Sequence, residues 1–587
     1  MGADRTKAKG KRTKSPRTSG ESGLQLSRRE LLVVAAAAAV AGCAPSVPQT
    51  LIPTPTLAPF KLTRAATLYV HGTVPSAVAG EAVRRLAGQA GLSTVTAVAK
   101  LDPAPDLVLT YGDLPKGYSG VAVGQSPAAV ITNLRVPVDN IQAAQLNSLL
   151  TGKTKDWQGA GAPYSLPVHL FALDGLSLPQ GVQVGSGAKK VTRASDLLSQ
   201  VSKQAGSLAL VPLEVPNWTV RNLGVENIYP VQGRGDTTKS AAGQLTLQVG
   251  AREALVTQGL SVKTLATVLA GLLAGTTPVL DMIAVGDVML GRGVNNKMVG
   301  YHDYSYPYRR IHDEMKTADL RVGNLECTVT DLFPIPTDPS TFTFVSKKQA
   351  VAGLVYAGFN MLTVANNHAN GPGQMAFMDM IKTLRANKIA VCGGGNTSSD
   401  ARKAAVATAK GQRVALLGYC MVPPQGPYAT SSSWGIAPVN LQTLPSDIKA
   451  ARAQADIVIP YFHWGIEYTN TPTIDQQRAA RAAIDAGADM VLGVHPHWVQ
   501  GIETYKGRLI IYSLGNFVFD QDWSRATMEG MLLHLYWRGN TLVGARWLAT
   551  LDVDRCAPRP MSQVEATDSY SRMWAGTDQL AQGHYGP

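Results

Sequence analysis

Five short segments in the C-terminal half carry side chains of metal-binding type: Gly286-Asp287-Val288-Met289, Gly323-Asn324-Leu325-Glu326, Asn366-Asn367-His368, His463-Trp464-Gly465 and His495-Pro496-His497. Two divalent ions on the order of 4 Å apart need a bridging carboxylate, with nitrogen and oxygen donors completing each shell. Glu326 is the natural bridge. His495 and His497 sit two apart, so on a turn just past a strand each imidazole can face a different ion. A lone His-x-His or Asn-Asn-His is ordinary in turns and cores. Five such segments in order read as one site, because ligand count and context agree.

The elements that must position these groups are also legible. Apolar runs of strand length precede or adjoin the polar segments, at residues 282–285, 456–461 and 490–494. Carboxylate, amide and imidazole groups therefore fall at the C-terminal ends of strands, where the loops of an α/β sheet build sites.

Longer stretches around the same residues are IAVGDVMLGR (283–292), VGNLE (322–326), GFNMLTVANNH (358–368), YFHWGIEY (461–468), GADMVLGVHPH (487–497) and LIIYSLGNFVFD (509–520). From about Leu280 to about Arg555 the chain resembles the CapA family of poly-γ-glutamate capsule biosynthesis proteins, a variant of the calcineurin-like metallophosphoesterase fold. The resemblance implies a four-layer α/β sandwich with the site at one edge. Asp287, Glu326 and His497 would hold one ion, and Glu326, Asn367, His463 and His495 the other, the metal being Mn, Fe or Zn and the number one or two. His368 would be the general acid, a role its unperturbed pKa near 6.5 suits.

Two departures bear on that expectation. Metallophosphoesterases carry Asp-x-His at the first motif, whereas this chain has Met289, and a thioether is a poor partner for Zn, Mn or Fe among oxygen ligands. One ion loses a ligand. The CapA pattern also places an aspartate three residues beyond the motif histidine, where this chain has Gly371, so an outer brace of the site is missing.

Other residues near the motifs carry two readings each. Arg292 is either a clamp for phosphate or γ-carboxylate or a surface arginine at a helix start. Glu467, four residues beyond His463, either orients a ligand histidine or faces solvent. Ser513 and Asn516 shape a turn, with no histidine base assignable to Ser513. Cys327 follows Glu326 directly, and burial among apolar groups is the commoner fate of such a thiol.

The N-terminus carries its own address. A basic stretch at residues 5–17 leads to Ser27-Arg28-Arg29-Glu30-Leu31-Leu32, an apolar run to Val40, and Ala41-Gly42-Cys43. This resembles a twin-arginine lipoprotein signal, with an apolar core too short to span a membrane. Cys43 would be the lipidated first residue, anchoring the exported protein at the outer face of the cell membrane. Residues 44–60, rich in proline, serine and threonine, have the composition of a semi-extended tether.

Composition agrees. The 587 residues are 45% hydrophobic, enough for more than one cored domain. The formal net charge of +13 lies partly in the leader, so a nucleic-acid partner is not expected. Beyond Cys43, the cysteines Cys327, Cys392, Cys420 and Cys556 lack the spacing of a zinc framework.

In the first half, strand-like runs at 66–70, 107–110 and 128–132 alternate with helical stretches, indicating an α/β domain over 61–250. IQAAQLNSLLTGKTKDW (141–157) and GSLALVP (206–212) resemble the phosphate-type substrate-binding proteins of ABC transporters, which implies a periplasmic-binding-protein-like fold. That family pairs an arginine with Ser-Gly-Thr at a helix start. Residues 172–177, Ala-Leu-Asp-Gly-Leu-Ser, lack the arginine, and the domain reads as a degenerate binding module.

The chain thus divides into a signal (1–43), a tether (44–60), a binding-protein-like domain (61–250), a connector (251–279) with a helical stretch at 261–275, a CapA-like domain (280–556) and a polar surface tail (557–587). The implied function is capsule or poly-γ-glutamate biosynthesis through a metal-dependent hydrolase or transferase centre. Its partners would be an anionic polymer or phosphoester substrate, the membrane through the N-terminal lipid, and capsule synthesis or export machinery. The alternatives are an extracellular metallophosphoesterase and a noncatalytic polymer-binding surface protein.

Overall fold

The computed structural model of the protein describes residues 66–586 except 88, 90, 91, 93, 274–277 and 339. The twin-arginine segment, Cys43 and the tether lie outside the described residues. Among the described residues no helix is long and apolar enough to cross a membrane.

Contacts gather the chain into two compact units. One runs to Thr110 and takes in Leu114–Val123 and Gln248–Leu272; the other holds Tyr111–Asp113, Gly124–Leu247 and Leu273–Pro587. In the first, the strands Val95–Val98, Ala66–Val70 and Leu107–Thr110 pair in parallel, and residues 248–251 pair antiparallel to the last. Helix Ser76–Ala87 buries Val78, Ala82 and Leu86, and helix Val262–Leu269, capped by the Ser261 side chain, buries Leu265 and Leu269.

The larger unit contains two stacked sheets. The first orders Ala390–Cys392, Met361–Thr363, Leu320–Leu325 and Val279–Val288 in parallel, then Glu529–Arg538, Thr541–Val553 and Ala557–Pro560 antiparallel. The second orders Ala405–Ala409, Gln412–Cys420, Ile457–His463, Met490–Val494, Arg508–Ile511 and Ile502–Tyr505, with its four central strands parallel.

Side chains alternate across each strand with period two, and here both faces are buried. Leu280, Met282 and Ala284 enter the core shared with Ile457, Ile459 and Tyr461 of the second sheet. Ile283 and Val285 pack instead with Val294, Leu354 and Phe377 of helices Arg292–Gly300, Val351–Ala357 and Gln374–Ala386. On the far side Val458 and Phe462 meet Ile448 and Ala480 of helices Leu444–Arg452 and Ile474–Asp485. Burial on both faces explains continuous apolar runs in place of alternating ones. The result is the expected four-layer α/β sandwich.

Strands between residues 128 and 225 form a further layer of this unit. Residues 128–133 pair antiparallel with Ser207–Pro212 and Val220–Val225, and Val220 and Val231 share a cluster with Tyr536 and Val543. The tail differs from the polar surface segment expected. It forms helix Gln563–Ala581, started by a Ser562/Glu565 capping box, and buries Ala566, Met573 and Leu580, because apolar residues recur there at helical spacing.

Gly286 permits a close backbone approach near the site. A Cβ there would meet the Gly515 carbonyl oxygen at 1.9 Å, and backbone cannot yield as a side chain can.

A charged cluster ties the same unit together. His534, fully buried, places Nδ1 2.8 Å from Asp281 Oδ1 and Nε2 2.8 Å from Glu314 Oε1. Arg546 donates to Glu314 at 2.6 Å and lies 3.4 Å from Asp139, which also pairs with Arg221. Both ring nitrogens face carboxylates, so both donate and the imidazolium is favoured. Burial opposes the charge, the hydrogen bonds to Asp281 and Glu314 outweigh it, and the net shift is upward. A raised folded-state pKa gives stability that is complete below the unfolded value of about 6.5 and is lost as pH rises through the folded value. We expect the urea midpoint to fall between about pH 6 and about pH 9, and His534→Gln to cost about 3 kcal/mol at the lower pH while flattening the dependence. Equal pH profiles for the two proteins in urea titrations would refute this account.

Candidate metal centre

The sandwich brings five strand ends together. Asp287 lies at the end of Val279–Val288, Glu326 follows Leu320–Leu325, and Asn366 to His368 follow Met361–Thr363, all in the first sheet. His463 ends Ile457–His463, and His495 and His497 follow Met490–Val494, in the second. The Tyr461 hydroxyl, two residues before His463, donates across the sheets to the Val285 carbonyl, two residues before Asp287. His495 and His497 both adopt positive φ, +96° and +56°, an uncommon conformation for residues with a Cβ and one that marks strained sites.

Asp287, Glu326, His463, His495, His497 and His368 are all buried. Their donor atoms form three groups, each within 4.8 Å: Asp287, Glu326 and His497; Glu326, His463 and His495; and Glu467, His495 and His497. The first two match the ligand sets implied by the sequence resemblance. Asn367 joins the second, its Oδ1 2.8 Å from His463 Nε2. Glu326 Oε1 lies 3.8 Å from His463 Nε2 and 3.9 Å from His368 Nε2, too long for hydrogen bonds yet within the span of two ligands on one ion at about 2.1 Å each.

The residues fit a cation. Neither oxygen of Glu326 and not Nδ1 of His495 finds a hydrogen-bond partner among the described residues. Burial, and then the neighbouring Asp287 charge, push the Glu326 carboxyl well above its usual range. Burial and mutual repulsion push His463 and His495 well below theirs. A divalent ion held here would supply the charge and the bonds that these atoms lack.

Amides to which the sequence reading gave no ligand role orient the charged groups. Asn324 Nδ2 donates to Asp287 Oδ1 at 2.8 Å, and its Oδ1 accepts from Asn366 at 2.9 Å. The His495 backbone N–H donates to Asp287 Oδ2 at 3.3 Å. Asn516 Oδ1 lies 2.9 Å from His497 Nδ1. Ser513 only accepts the Gly515 amide, as a turn residue does.

His368 stacks on Phe344, ring centroids 4.1 Å apart, and its Nδ1 donates to the Phe342 carbonyl at 2.8 Å. Nε2 is left to accept from Asn367 Nδ2 at 3.0 Å. Burial lowers its pKa to about 4. Beside Gly371 the space is taken by Gln425, whose Oε1 a Cβ would meet at 2.4 Å, and Gln425 Nε2 donates 2.7 Å to the same Phe342 carbonyl. Gln425 thus braces this edge where an aspartate was expected. No sequence signal marks it.

Of the residues with two readings, Arg292 is nearly buried at a helix start with φ +43°, pairs with Asp520, and lies 4.5 Å over the Phe344 ring. Cys327 is buried, and burial raises its thiol to about 12. Met289 is buried, its sulfur accepting the Gly291 N–H at 3.0 Å. Glu467 is exposed.

A family model described as bacterial capsule synthesis protein PGA_cap matches residues 281–521. The capsule biosynthesis protein CapA of Bacillus anthracis is 32% identical over 49% of this chain and 70% of its own length. The PGA biosynthesis protein CapA of Bacillus subtilis is 32% identical over 49% and 74%. A probable polyglutamine synthesis accessory protein of Mycobacterium tuberculosis is 25% identical over 43% and 77%. Among solved structures, a putative phosphate ABC transporter substrate-binding protein from Clostridium perfringens aligns with 35% of this chain and 93% of its own at 13% identity and TM-score 0.30, a weak likeness. The NAD nucleotidase of Haemophilus influenzae aligns with 52% and 59% at 12% identity and TM-score 0.30.

Glu326→Gln removes the charge and keeps the shape. We expect it to raise the melting temperature of chelator-treated protein and to erase the stabilisation by Mn(II), which at a hundredfold excess over Kd is about 2.7 kcal/mol for the wild type. Scanning fluorimetry with and without the ion reads both effects. Equal stabilisation of both proteins would remove Glu326 from the ligand set.

Proposed function

This chain belongs to the bacterial capsule synthesis protein family, the CapA type of capsule and poly-glutamate biosynthesis, and on that premise we propose that its strand-end cluster is a metal-dependent hydrolase or transferase centre acting on an anionic polymer of the poly-γ-glutamate kind. The observation that carries the reading is Glu326, whose buried oxygens have no donor and are shared between two ligand groups.

A bound divalent ion supplies charge stabilisation to a scissile carbonyl or phosphoryl oxygen. The chain supplies the rest. His368 holds its proton on Nδ1 against the Phe342 carbonyl, so Nε2, facing Asn367 and Glu326, is the basic atom. With its pKa lowered to about 4 the ring rests neutral, contrary to the value near 6.5 expected from sequence, so in its general-acid role Nε2 would take the proton released by the attacking water and pass it to the departing group. Arg292, oriented by Asp520 and Phe344, sets a fixed positive charge beside that imidazole, which favours an anionic substrate.

The address belongs to the same proposal. The twin-arginine pair, the apolar run and Cys43 support export and lipid anchoring at the outer face of the membrane, with the capsule machinery as neighbour.

Two measurements test this reading. The purified protein, loaded with Mn(II), Fe(II) or Zn(II) in turn, is screened against poly-γ-glutamate and phosphodiesters. We expect turnover of the polymer, with His368→Ala keeping its metal and losing about 10²- to 10⁴-fold in rate. Turnover of phosphodiesters alone would move the protein to an extracellular phosphoesterase, and metal binding without any turnover to a polymer-binding role. In cell fractionation, Cys43→Ala should shift the protein out of the membrane fraction, and unchanged membrane retention would refute the anchor.

A further inference from the structure

We infer that Glu467 is a metal ligand that, with His495 and His497, holds an exchangeable, solvent-side ion. The inference rests on the metal reading proposed above and adds a residue to it.

The argument begins at Asn516. Its Nδ2 donates to the Thr527 backbone carbonyl at 2.9 Å and to Gln521 Oε1 at 3.0 Å. A backbone carbonyl can only accept, so the amide cannot be turned round, and its Oδ1 faces His497 Nδ1 at 2.9 Å. An oxygen acceptor in that position requires the proton on Nδ1. The lone pair of His497 is therefore on Nε2, as in other ligand histidines whose second nitrogen is tied to an outer acceptor.

Nε2 of His497 points towards Glu467, whose Oε1 is 4.0 Å away, within the span of two ligands on one ion. His495 completes a group whose donor atoms lie within 4.8 Å. His495 is buried, and its Nδ1 has no partner. Met289 cannot serve, because its sulfur is engaged by the Gly291 amide.

The turn carrying Glu467 is built for such a position. Gly465 has φ +88° and Tyr468 φ +60°, and the Tyr468 amide donates to the Pro496 carbonyl at 2.8 Å, between the two histidines. Glu467 itself keeps 42% of its side chain exposed. It can leave the shell without disturbing the core, so the ion it holds exchanges first.

Chelator-treated full-length protein titrated with Mn(II), with free ion counted by electron paramagnetic resonance, tests the inference. Wild type should bind a tighter and a weaker equivalent. Glu467→Gln should weaken the second by about a hundredfold and leave the first within about twofold, while Glu467→Asp falls between. Matching melting temperatures of the metal-free proteins establish that the variants are folded. Wild-type binding curves for Glu467→Gln would overturn the inference and leave the metal reading standing. A wild type that takes up no ion would overturn both.

Discussion

Glu326 sets the terms for the rest of the molecule. A carboxyl with no exposure, no donor at either oxygen among the described residues and Asp287 beside it keeps its charge in an apolar interior only if something positive completes it. Around it the chain offers no bonded cation: the nearest histidines are neutral by burial, and Arg292, whose charge reaches the site, makes its ion pair with Asp520. The same chain satisfies another acidic pair with its own side chains, since Asp281 and the partly buried Glu314 are bridged by His534, and Arg546 donates to Glu314. One acidic cluster is closed and structural. The other is left open.

Much of this was legible because the chemistry and the fold share a grammar. Runs such as 282–285 and 490–494 are apolar throughout because both faces of those strands are covered, and the polar residue that follows each run lies at the strand's C-terminal end, buried with the other ends. The segments that carry Asp287, Glu326, Asn367, His463, His495 and His497 therefore stood out by order and residue type, whereas the assignment of ligands and the sandwich that gathers them came from the family resemblance. Strands expected at 66–70, 107–110 and 128–132 also form.

What stayed hidden is what depends on distant pairing. Gln425 braces the His368 edge from 54 positions beyond Gly371, and only the space left by that glycine explains it. Asn516 looked like a turn former, yet its amide fixes which nitrogen of His497 is free. The tail's polar composition masked a helix whose few apolar residues share one face. Nor does periodicity announce that Val220 and Val231 will share a core with Tyr536 and Val543, since each strand shows only that it has a buried face.

The hydroxyl of Tyr461 gives the site a mechanical character. It clasps the Val285 carbonyl at the level where the two sheets are about to present Asp287 and His463, so the gap between those ligands is gauged by the sheet interface and not by any loop. Interiors packed like crystals resist small adjustments. The spacing of the two strand ends is thereby handed to the apolar core, and residues such as Met282 and Leu492, packed between the sheets, become the shims that set it.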